Sequence, residues 1–481
     1  MKATRWIPVL ATMGLVLGTT VTAPAVAAPE VPPSLEDRIR TDGVVRHLEA
    51  FQEIADENGG NRSMGTPGYE ASGAYVERRL RAAGYETERQ YFEVEQFTVT
   101  DLSVTVPGVE LDPIAMTYSR STPDAGVTAP VVVPAIANGC AVADGGSGDP
   151  WAGVDVAGKI ALIQRGTCTF GAKSRTAAAA GAAAVIIYNN TAGTLNGTLG
   201  GSDPALAPTV GVTQAEGEAI LAARAADPAL QAFFDLQAVE ETKQTFNVLA
   251  ETSWGDAGNV VMLGAHLDSV EEGAGINDNG TGSAGILETA IQLAKVGRAE
   301  ALPNKVRFAW WGAEELGLQG SNHYVASLSA AEQDDIALYM NFDMIGSPNY
   351  TIGVYDADQS TYEAPVTVPE GSAAVEAAFT GYFDSGDQPW VDSPFSGRSD
   401  YQGFILAGIP ASGLFTGADA IKTDQEAAIF GGTAGIPLDP NYHSAADDLT
   451  NVDTEALTIM SKAIGHATHE FARSTDAVGG N

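Results

Sequence analysis

The chain has 481 residues, of which 44% are hydrophobic and 18% are charged, a composition typical of a globular protein with two or three domains. Its 25 basic and 61 acidic residues argue against a nucleic-acid partner, because phosphates require a positive surface. Solubility outside the cell explains the acidic excess more simply than steering of a cationic substrate does.

The first 28 residues have the pattern of a secretory signal peptide. Lys2 and Arg5 precede an apolar segment, residues 6–17, and small residues follow through Ala27. The apolar segment is short for a bilayer span, and no later run of about 18 apolar residues occurs in the sequence. We therefore expect a secreted, extracellular protein with no membrane partner, whose mature chain begins near Ala28.

Residues 34–124 are predicted to begin the main domain. A helical pattern over residues 69–83 ends at Gly84, and partly alternating apolar residues over 91–106 predict a strand. The pattern changes in residues 125–236, which we predict to be an inserted domain.

The inserted segment contains an alanine-rich helix over residues 173–184 and a strand over 184–190. With a strand on either side, this helix is typical of a β-α-β crossover. The two cysteines of the chain, Cys140 and Cys168, also lie here. In an exported chain an isolated pair is most simply a disulfide.

From residue 237 to residue 475 the main domain resumes. Short apolar strands are predicted at residues 246–250, 260–264, 306–311 and 337–342, with helices at 283–295 and 321–327. Alternating strands and helices predict an α/β fold, with a mixed but mostly parallel sheet covered by helices on both faces. In such sheets ligands bind outside the carboxyl ends of the strands.

Acidic residues and histidines occur where these strands end. Three strand-to-helix loops and a fourth loop rich in Pro and Asp carry them: His266 with Asp278, Glu314 with Glu315, Asp343, and His443. Imidazoles with several carboxylates are a ligand set typical of zinc, and two metals about 3.5–4 Å apart need a bridging carboxylate. Adjacent Glu side chains point in different directions, so one can bind metal while the other faces the bound water.

Each residue alone has an ordinary explanation, since a lone histidine is more often structural and a Glu-Glu pair is usually solvated. Their joint occurrence at four loops favours a metal site. His466 and His469, on a C-terminal helical pattern and followed by Glu470, accompany no strand end. We interpret them as structural or surface residues.

Five motifs occur in order along the chain: Gly-Ala-His266-Leu-Asp268-Ser, Gly-Ile-Asn-Asp278-Asn-Gly, Trp-Trp-Gly-Ala-Glu314-Glu315-Leu-Gly, Asn-Phe-Asp343-Met-Ile-Gly and Tyr442-His443. This set resembles the signature of secreted di-zinc aminopeptidases of the bacterial leucyl-aminopeptidase type, a zinc exopeptidase family. The resemblance covers the chain from about residue 40. It implies a sheet sandwiched by helices and a peptidase that acts on peptide or protein N-termini.

The resemblance also implies two zinc ions. His266 and Asp343 would bind one ion, Glu315 and His443 would bind the other, and Asp278 would bridge them.

Other matching positions would act on the substrate. Glu314 would be the general base for a metal-bridging water, Tyr442 would stabilise the oxyanion, and Asp268 would orient the first histidine. Arg398 resembles an arginine that binds the substrate near its amino end.

By the same resemblance, Met344 and Phe415 would line the specificity pocket together with Tyr442. This implies a preference for a large apolar first residue such as leucine.

The inserted segment resembles a protease-associated domain. The similarity rests on Asn138-Gly139-Cys140, on Gly166-Thr167-Cys168-Thr169-Phe170 and on the alanine-rich helix before Tyr188-Asn189-Asn190. No predicted catalytic residue falls inside it, so the insert is expected to influence substrate access and not the chemistry.

Three alternatives remain open. A related zinc carboxypeptidase shares the ligands but clamps a carboxylate with arginines. A glutaminyl cyclase uses a similar scaffold with one zinc, and a catalytically dead, receptor-like scaffold would keep only the fold. The acidic loops also leave room for a calcium ion, although no EF-hand pattern is present.

Overall fold

The computed structural model describes Met1, residues 34–191 and residues 193–479. The predicted signal segment, whose features fall between residues 2 and 27, lies outside the described residues. In the described part of the chain, none of the helices combines the length and apolarity needed to cross a bilayer.

The strands, numbered in chain order, are β1 (Glu86–Thr105), β2 (Ile114–Ala115), β3 (Val127–Val132), β4 (Ile160–Gln164), β5 (Ala184–Tyr188), β6 (Thr209–Val212), β7 (Gln231–Glu251), β8 (Asp256–His266), β9 (Asn304–Trp311), β10 (Ile336–Asp343), β11 (Gly353–Tyr355), β12 (Val391–Ser393) and β13 (Ala411–Phe415).

The α-helices are α1 (Leu35–Arg38), α2 (Thr41–Glu57), α3 (Pro67–Ala83), α4 (Phe170–Ala179), α5 (Gln214–Ala226), α6 (Gly282–Glu300), α7 (Gln319–Ser327), α8 (Ala330–Asp334), α9 (Ser372–Ser385), α10 (Tyr401–Leu406), α11 (Asp424–Phe430) and α12 (Thr454–Arg473). The predicted end of α3 is confirmed, because Gly84 caps it with a φ of 96°.

The main sheet has the order β12-β11-β13-β10-β8-β9-β7. Strands β9, β8, β10 and β13 run parallel, whereas β7 is antiparallel to β9. Alternate residues of the central strands are buried on opposite faces: Leu263 and Trp310 in one apolar cluster, and Met262 and Trp311 in another. The predicted α/β fold with a mostly parallel, doubly covered sheet is confirmed.

The insert continues the sheet through β7, in the order β7-β3-β4-β5-β6-β2. Strands β3 to β6 are parallel, and α4 connects β4 to β5 as the predicted crossover. The helix begins and ends earlier than the alanine run indicated, because Thr169 caps its start and Gly181, with a φ of 94°, follows its end. The Cys140–Cys168 disulfide is present.

A two-stranded ribbon joins the insert to the main domain. β1 pairs with β7 from Glu86–Glu251 to Thr105–Phe233, with one register shift after Val99. The predicted short strand at residues 246–250 is therefore the end of a 21-residue strand.

Candidate metal centre

Three neighbouring parallel strands end at one edge of the main sheet, and polar side chains follow them there. His266 is the last residue of β8, and Asp343 is the last residue of β10. Glu314 and Glu315 follow β9 after Ala313, which adopts a φ of 58°. The sequence predicted that these side chains would meet at one edge of the sheet, and they do so in the structure.

Two further predicted residues reach this edge from loops. Asp278 lies in the turn before α6, where the Asp447 carboxylate accepts the backbone N–H groups of Asn277 and Asp278 at 2.8 and 2.9 Å. His443 lies in the loop between α11 and α12, and its ring stacks on Tyr442 with centroids 3.8 Å apart.

The five predicted ligands form two groups that share Asp278. The Nε2 atom of His266 is 3.2 Å from Asp278 Oδ1 and 3.5 Å from Asp343 Oδ1. The Nε2 atom of His443 is 3.2 Å from Asp278 Oδ2 and 3.0 Å from Glu315 Oε2. Within each group, the ligand-type atoms lie within 4.8 Å of one another. The two oxygens of Asp278 thus face different imidazoles, as a bridging carboxylate requires.

The donor set fits a metal ion. Glu315 Oε1 and Asp343 Oδ1 are buried, and no described residue forms a hydrogen bond with either atom. Such atoms are rare in folded proteins, because burial of an unsatisfied polar group is unfavourable. A divalent cation would satisfy both atoms, and two imidazoles with three carboxylates suit zinc.

The charges of the cluster shift its pKa values in opposite directions. Burial opposes ionisation of Asp278, but hydrogen bonds from His266 and His443 outweigh it and hold the pKa of Asp278 below its usual range. Burial also opposes the charged form of His443, yet bonds to Asp278 and Glu315 raise its pKa to about 10. Burial raises the pKa of Glu315 to about 7. The raised pKa of His443 reflects the negative charge that surrounds its ring, and the same charge would attract a dication.

Glu314 stands beside the two groups. Its Oε2 atom is 3.9 Å from His266 Nε2, and its side chain is nearly buried. Burial raises the pKa of Glu314 well above its ordinary value, and the charge of His266 only partly offsets this. A carboxylate with raised proton affinity next to a metal site has the properties of a general base.

Asp268 contacts both the histidine and the glutamate loop. His266 Nδ1 is 3.0 Å from the backbone carbonyl oxygen of Asp268 and 3.7 Å from its carboxylate. The carboxylate accepts the backbone N–H groups of Glu314 and Glu315 at 3.3 and 3.4 Å. Asp268 therefore orients the imidazole chiefly through its main chain, while its side chain holds the Glu-Glu segment.

Sequence reasoning missed several polar residues around the cluster. Ser399 donates to Asp343 Oδ2 at 2.5 Å and accepts from Asn341 at 2.7 Å. Asp400 is buried, and burial raises its pKa to about 7. Asp447 could have been identified as a candidate from the sequence, because it lies only four residues after His443. For Ser399 the sequence offered no signal, because its partners Asn341 and Asp343 lie on a distant strand.

The buried guanidinium of Arg62 was also missed. It donates to the backbone carbonyls of Leu267, Ala274 and Gly275 at 2.5 to 2.8 Å. These residues lie in the loop from His266 to Asp278, so Arg62 fixes the course of the chain between two predicted ligands.

A cavity of about 380 Å³, here called the first cavity, opens beside the cluster. Its lining includes four residues of the predicted centre and the predicted substrate-binding residues: His266, Asp278, Glu314, Asp343, Met344, Arg398, Phe415 and Tyr442. Arg398 pairs with Asp419 at 3.0 Å and donates to the Tyr442 hydroxyl at 3.3 Å.

Groups outside the cluster have ordinary partners. His469 contacts Glu300 at 2.8 Å, as expected of a structural residue. Asp356 and Glu376, in an acidic group with Asp358, accept nearby backbone N–H groups. Nothing in the described residues supports a calcium ion there.

Comparison with known proteins gives two family matches. The profile described as peptidase family M28 matches residues 247–468, and the PA domain profile matches residues 127–220. A probable leucine aminopeptidase 2 of Aspergillus fumigatus is 45% identical over 438 residues, which cover 90% of this chain and 83% of the relative.

Two solved structures are similar over most of their length. An aminopeptidase from Aneurinibacillus sp. strain AM-1 has a TM-score of 0.72 and 31% identity, covering 91% of this chain and 95% of that one. BSAP, a zinc aminopeptidase from Bacillus subtilis, has a TM-score of 0.62 and 25% identity, covering 89% and 95%.

Proposed function

This chain belongs to peptidase family M28 and carries an inserted PA domain, and from that premise we propose that it is a secreted di-zinc aminopeptidase. It removes large apolar residues such as leucine from peptide or protein N-termini. The observation that carries the proposal is Asp278, whose two oxygens face His266 and His443. The similarity to a probable leucine aminopeptidase 2 and to a zinc aminopeptidase agrees with the proposal.

In this proposal His266, Asp278 and Asp343 would hold one zinc ion, and Asp278, Glu315 and His443 would hold the other. Zinc supplies Lewis acidity, which lowers the pKa of a bound water to about 7 and polarises a carbonyl group.

Glu314 moves the proton. Its carboxylate accepts a proton from the attacking water and delivers it to the nitrogen of the leaving amine. Burial raises the pKa of Glu314, which increases the affinity of its carboxylate for the proton of the attacking water.

Tyr442 stabilises the oxyanion. Burial raises the pKa of its phenol, so the hydroxyl keeps its proton and can donate it in a hydrogen bond to the developing charge. Arg398 donates to the same hydroxyl oxygen, which leaves the phenolic proton free for the substrate.

The first cavity favours a free amine over a free carboxylate. Asp392, Asp419 and Glu426 line it in addition to the metal cluster. Arg398 is the only arginine among the described residues that line it, and it is already paired with Asp419. A carboxypeptidase would need unpaired arginines to bind the terminal carboxylate.

The proposed preference for leucine rests on the apolar part of the same cavity, where Met344 and Phe415 lie beside Tyr442.

For the domains, we propose the division at residues 34–124, 125–236 and 237–475. The PA match at residues 127–220 falls within the middle segment.

Hydrolysis of three substrates tests the function. Leucine-p-nitroanilide and a leucyl peptide with a blocked C-terminus should be hydrolysed, whereas a peptide of the same sequence with an acetylated N-terminus and a free C-terminus should not. Cleavage restricted to the acetylated peptide would indicate a carboxypeptidase. No cleavage of any substrate by zinc-loaded protein would indicate a scaffold without activity.

A further inference from the structure

A second cavity, of about 280 Å³, adjoins the metal centre and is here called the ribbon-side cavity. It is lined by Asp268 and Glu315 of the centre, yet it shares no lining residue with the first cavity. Leu316, which follows the Glu-Glu segment in the sequence, also lines this cavity.

The ribbon that leads to the insert forms another wall of this cavity. Residues Gln96 to Val99 of β1 line it, opposite the loop that runs from Asp268 to Glu272. The ring of Phe97 approaches that of Tyr118, beyond the end of β1, with centroids 6.4 Å apart. The structure that carries the inserted domain thus helps to enclose a space next to the metal centre.

The ribbon-side cavity is lined by apolar side chains and by exposed acidic side chains. Met64, Phe97 and Leu316 supply apolar surface, whereas Glu271 and Glu272 are exposed carboxylates. Among the described residues, no Lys or Arg lines the cavity. A side chain with an aliphatic stem and a cationic head, such as Lys or Arg, matches this combination.

Gln96 indicates where a ligand would bind. It is 8% exposed, and its amide nitrogen donates to Glu271 Oε1 at 3.2 Å. Its amide oxygen is buried and has no hydrogen-bond partner among the described residues. An N–H group of a bound peptide would supply the missing donor.

The proposed proton transfer relates this cavity to the substrate. Because Glu314 delivers a proton to the leaving nitrogen, the chain that follows the scissile bond starts beside Glu314. The first cavity holds the first side chain, and Glu315 and Leu316, directly after the base, border the ribbon-side cavity.

We propose that the ribbon-side cavity binds the residues that follow the scissile bond and selects Lys or Arg at one of the first two of them. The proposal rests on the aminopeptidase function proposed above, and it makes the ribbon of the inserted domain part of the substrate site.

Two pairs of tripeptides test the selection: Leu-Xaa-Ala and Leu-Ala-Xaa, with lysine or uncharged norleucine at Xaa. The ratio of kcat/KM for lysine over norleucine should be about threefold to tenfold at one of the positions, as expected for one or two exposed ion pairs. The double variant Glu271→Gln/Glu272→Gln should bring this ratio close to one. The control Glu49→Gln/Glu53→Gln removes the same charge from exposed positions of α2 that line neither cavity, and it should leave the ratio unchanged.

Leucine-p-nitroanilide separates the two claims, because it has no residue after the scissile bond. If the protein does not hydrolyse it, the proposed function fails. If the protein hydrolyses it, the proposed selection is still overturned when wild type shows a lysine-to-norleucine ratio of kcat/KM of one at both Xaa positions. A fall in the ratio that is equal in the control variant would also overturn the selection, because it would reflect only the overall negative charge.

Discussion

The main sheet and the sheet of the insert each contain four neighbouring parallel strands, but different residues follow their carboxyl ends. In the main domain, β8 and β10 end at His266 and Asp343, which approach one another across the edge. In the insert, Arg165 follows β4 and donates to Asn189, which follows β5, at 3.1 Å, and Thr213 after β6 caps α5. The fold therefore sets the place where a site can lie, and the residues there set its chemistry.

The two regions also differ in whether their buried ionisable side chains have hydrogen-bond partners. In the insert, the Lys173 amine donates to the carbonyl oxygens of Asn138 and Gly166, and burial lowers its pKa to about 8. In the metal centre, Glu315 and Asp343 each keep a buried oxygen without a partner among the described residues. A group that is already satisfied holds the fold together, whereas an unsatisfied group is available to bind something else.

The largest effect on turnover should come from Glu314→Gln. This change removes the proton acceptor but keeps the shape of the side chain, so kcat for leucine-p-nitroanilide should fall by about 10²–10⁴ while the zinc content is retained. The control Glu218→Gln makes the same change at an exposed position of α5 in the insert and should have no effect. Loss of zinc from Glu314→Gln would show that this residue is a ligand and not the base.

A smaller effect is expected from Asp447→Ala. Its carboxylate positions the backbone of Asp278, and loss of such an outer partner typically lowers metal affinity by about 10- to 100-fold. The matched control is Asp203→Ala in the insert, where the carboxylate also accepts a backbone N–H group. Titration with a competing chelator measures both variants. Equal affinity in Asp447→Ala and wild type would refute the positioning role.

The smallest effect on turnover should follow loss of the disulfide. Its cysteines are 28 residues apart, and closing a loop of this size contributes about 3 kcal/mol to stability. The variant Cys140→Ser/Cys168→Ser should therefore show faster proteolysis within the insert. Hydrolysis of leucine-p-nitroanilide should remain close to that of wild type. A large loss of this activity would mean that the two regions are coupled through more than the ribbon.

The sequence predicted the parallel sheet because its central strands are short apolar runs, such as residues 306–311, separated by helices. It did not predict the length of β7, because residues 237–245 include exposed polar side chains such as Glu240 and Glu241 that pair only with β1. A ribbon of this kind depends on its partner strand and has no apolar pattern of its own.

The same reasoning applies to the site. Four of the five ligand-type residues could be found because each stands beside a strand or within a glycine-rich turn, whereas His443 lies in a loop rich in Pro and Asp. Ser399 and Arg62 could not be placed, because their roles depend on contacts with Asp343 and with the loop after β8 that only the folded chain creates.

The zinc content of purified protein tests most directly the central claim that Asp278 bridges two metal ions. The account predicts two zinc ions per chain in wild type and one in Glu315→Gln. It also predicts loss of both ions from Asp278→Asn at a chelator concentration that wild type withstands, because a neutral amide is a poorer ligand and both groups share this residue. One tightly held zinc ion per chain, unaffected by Glu315→Gln or His443→Ala, would contradict it.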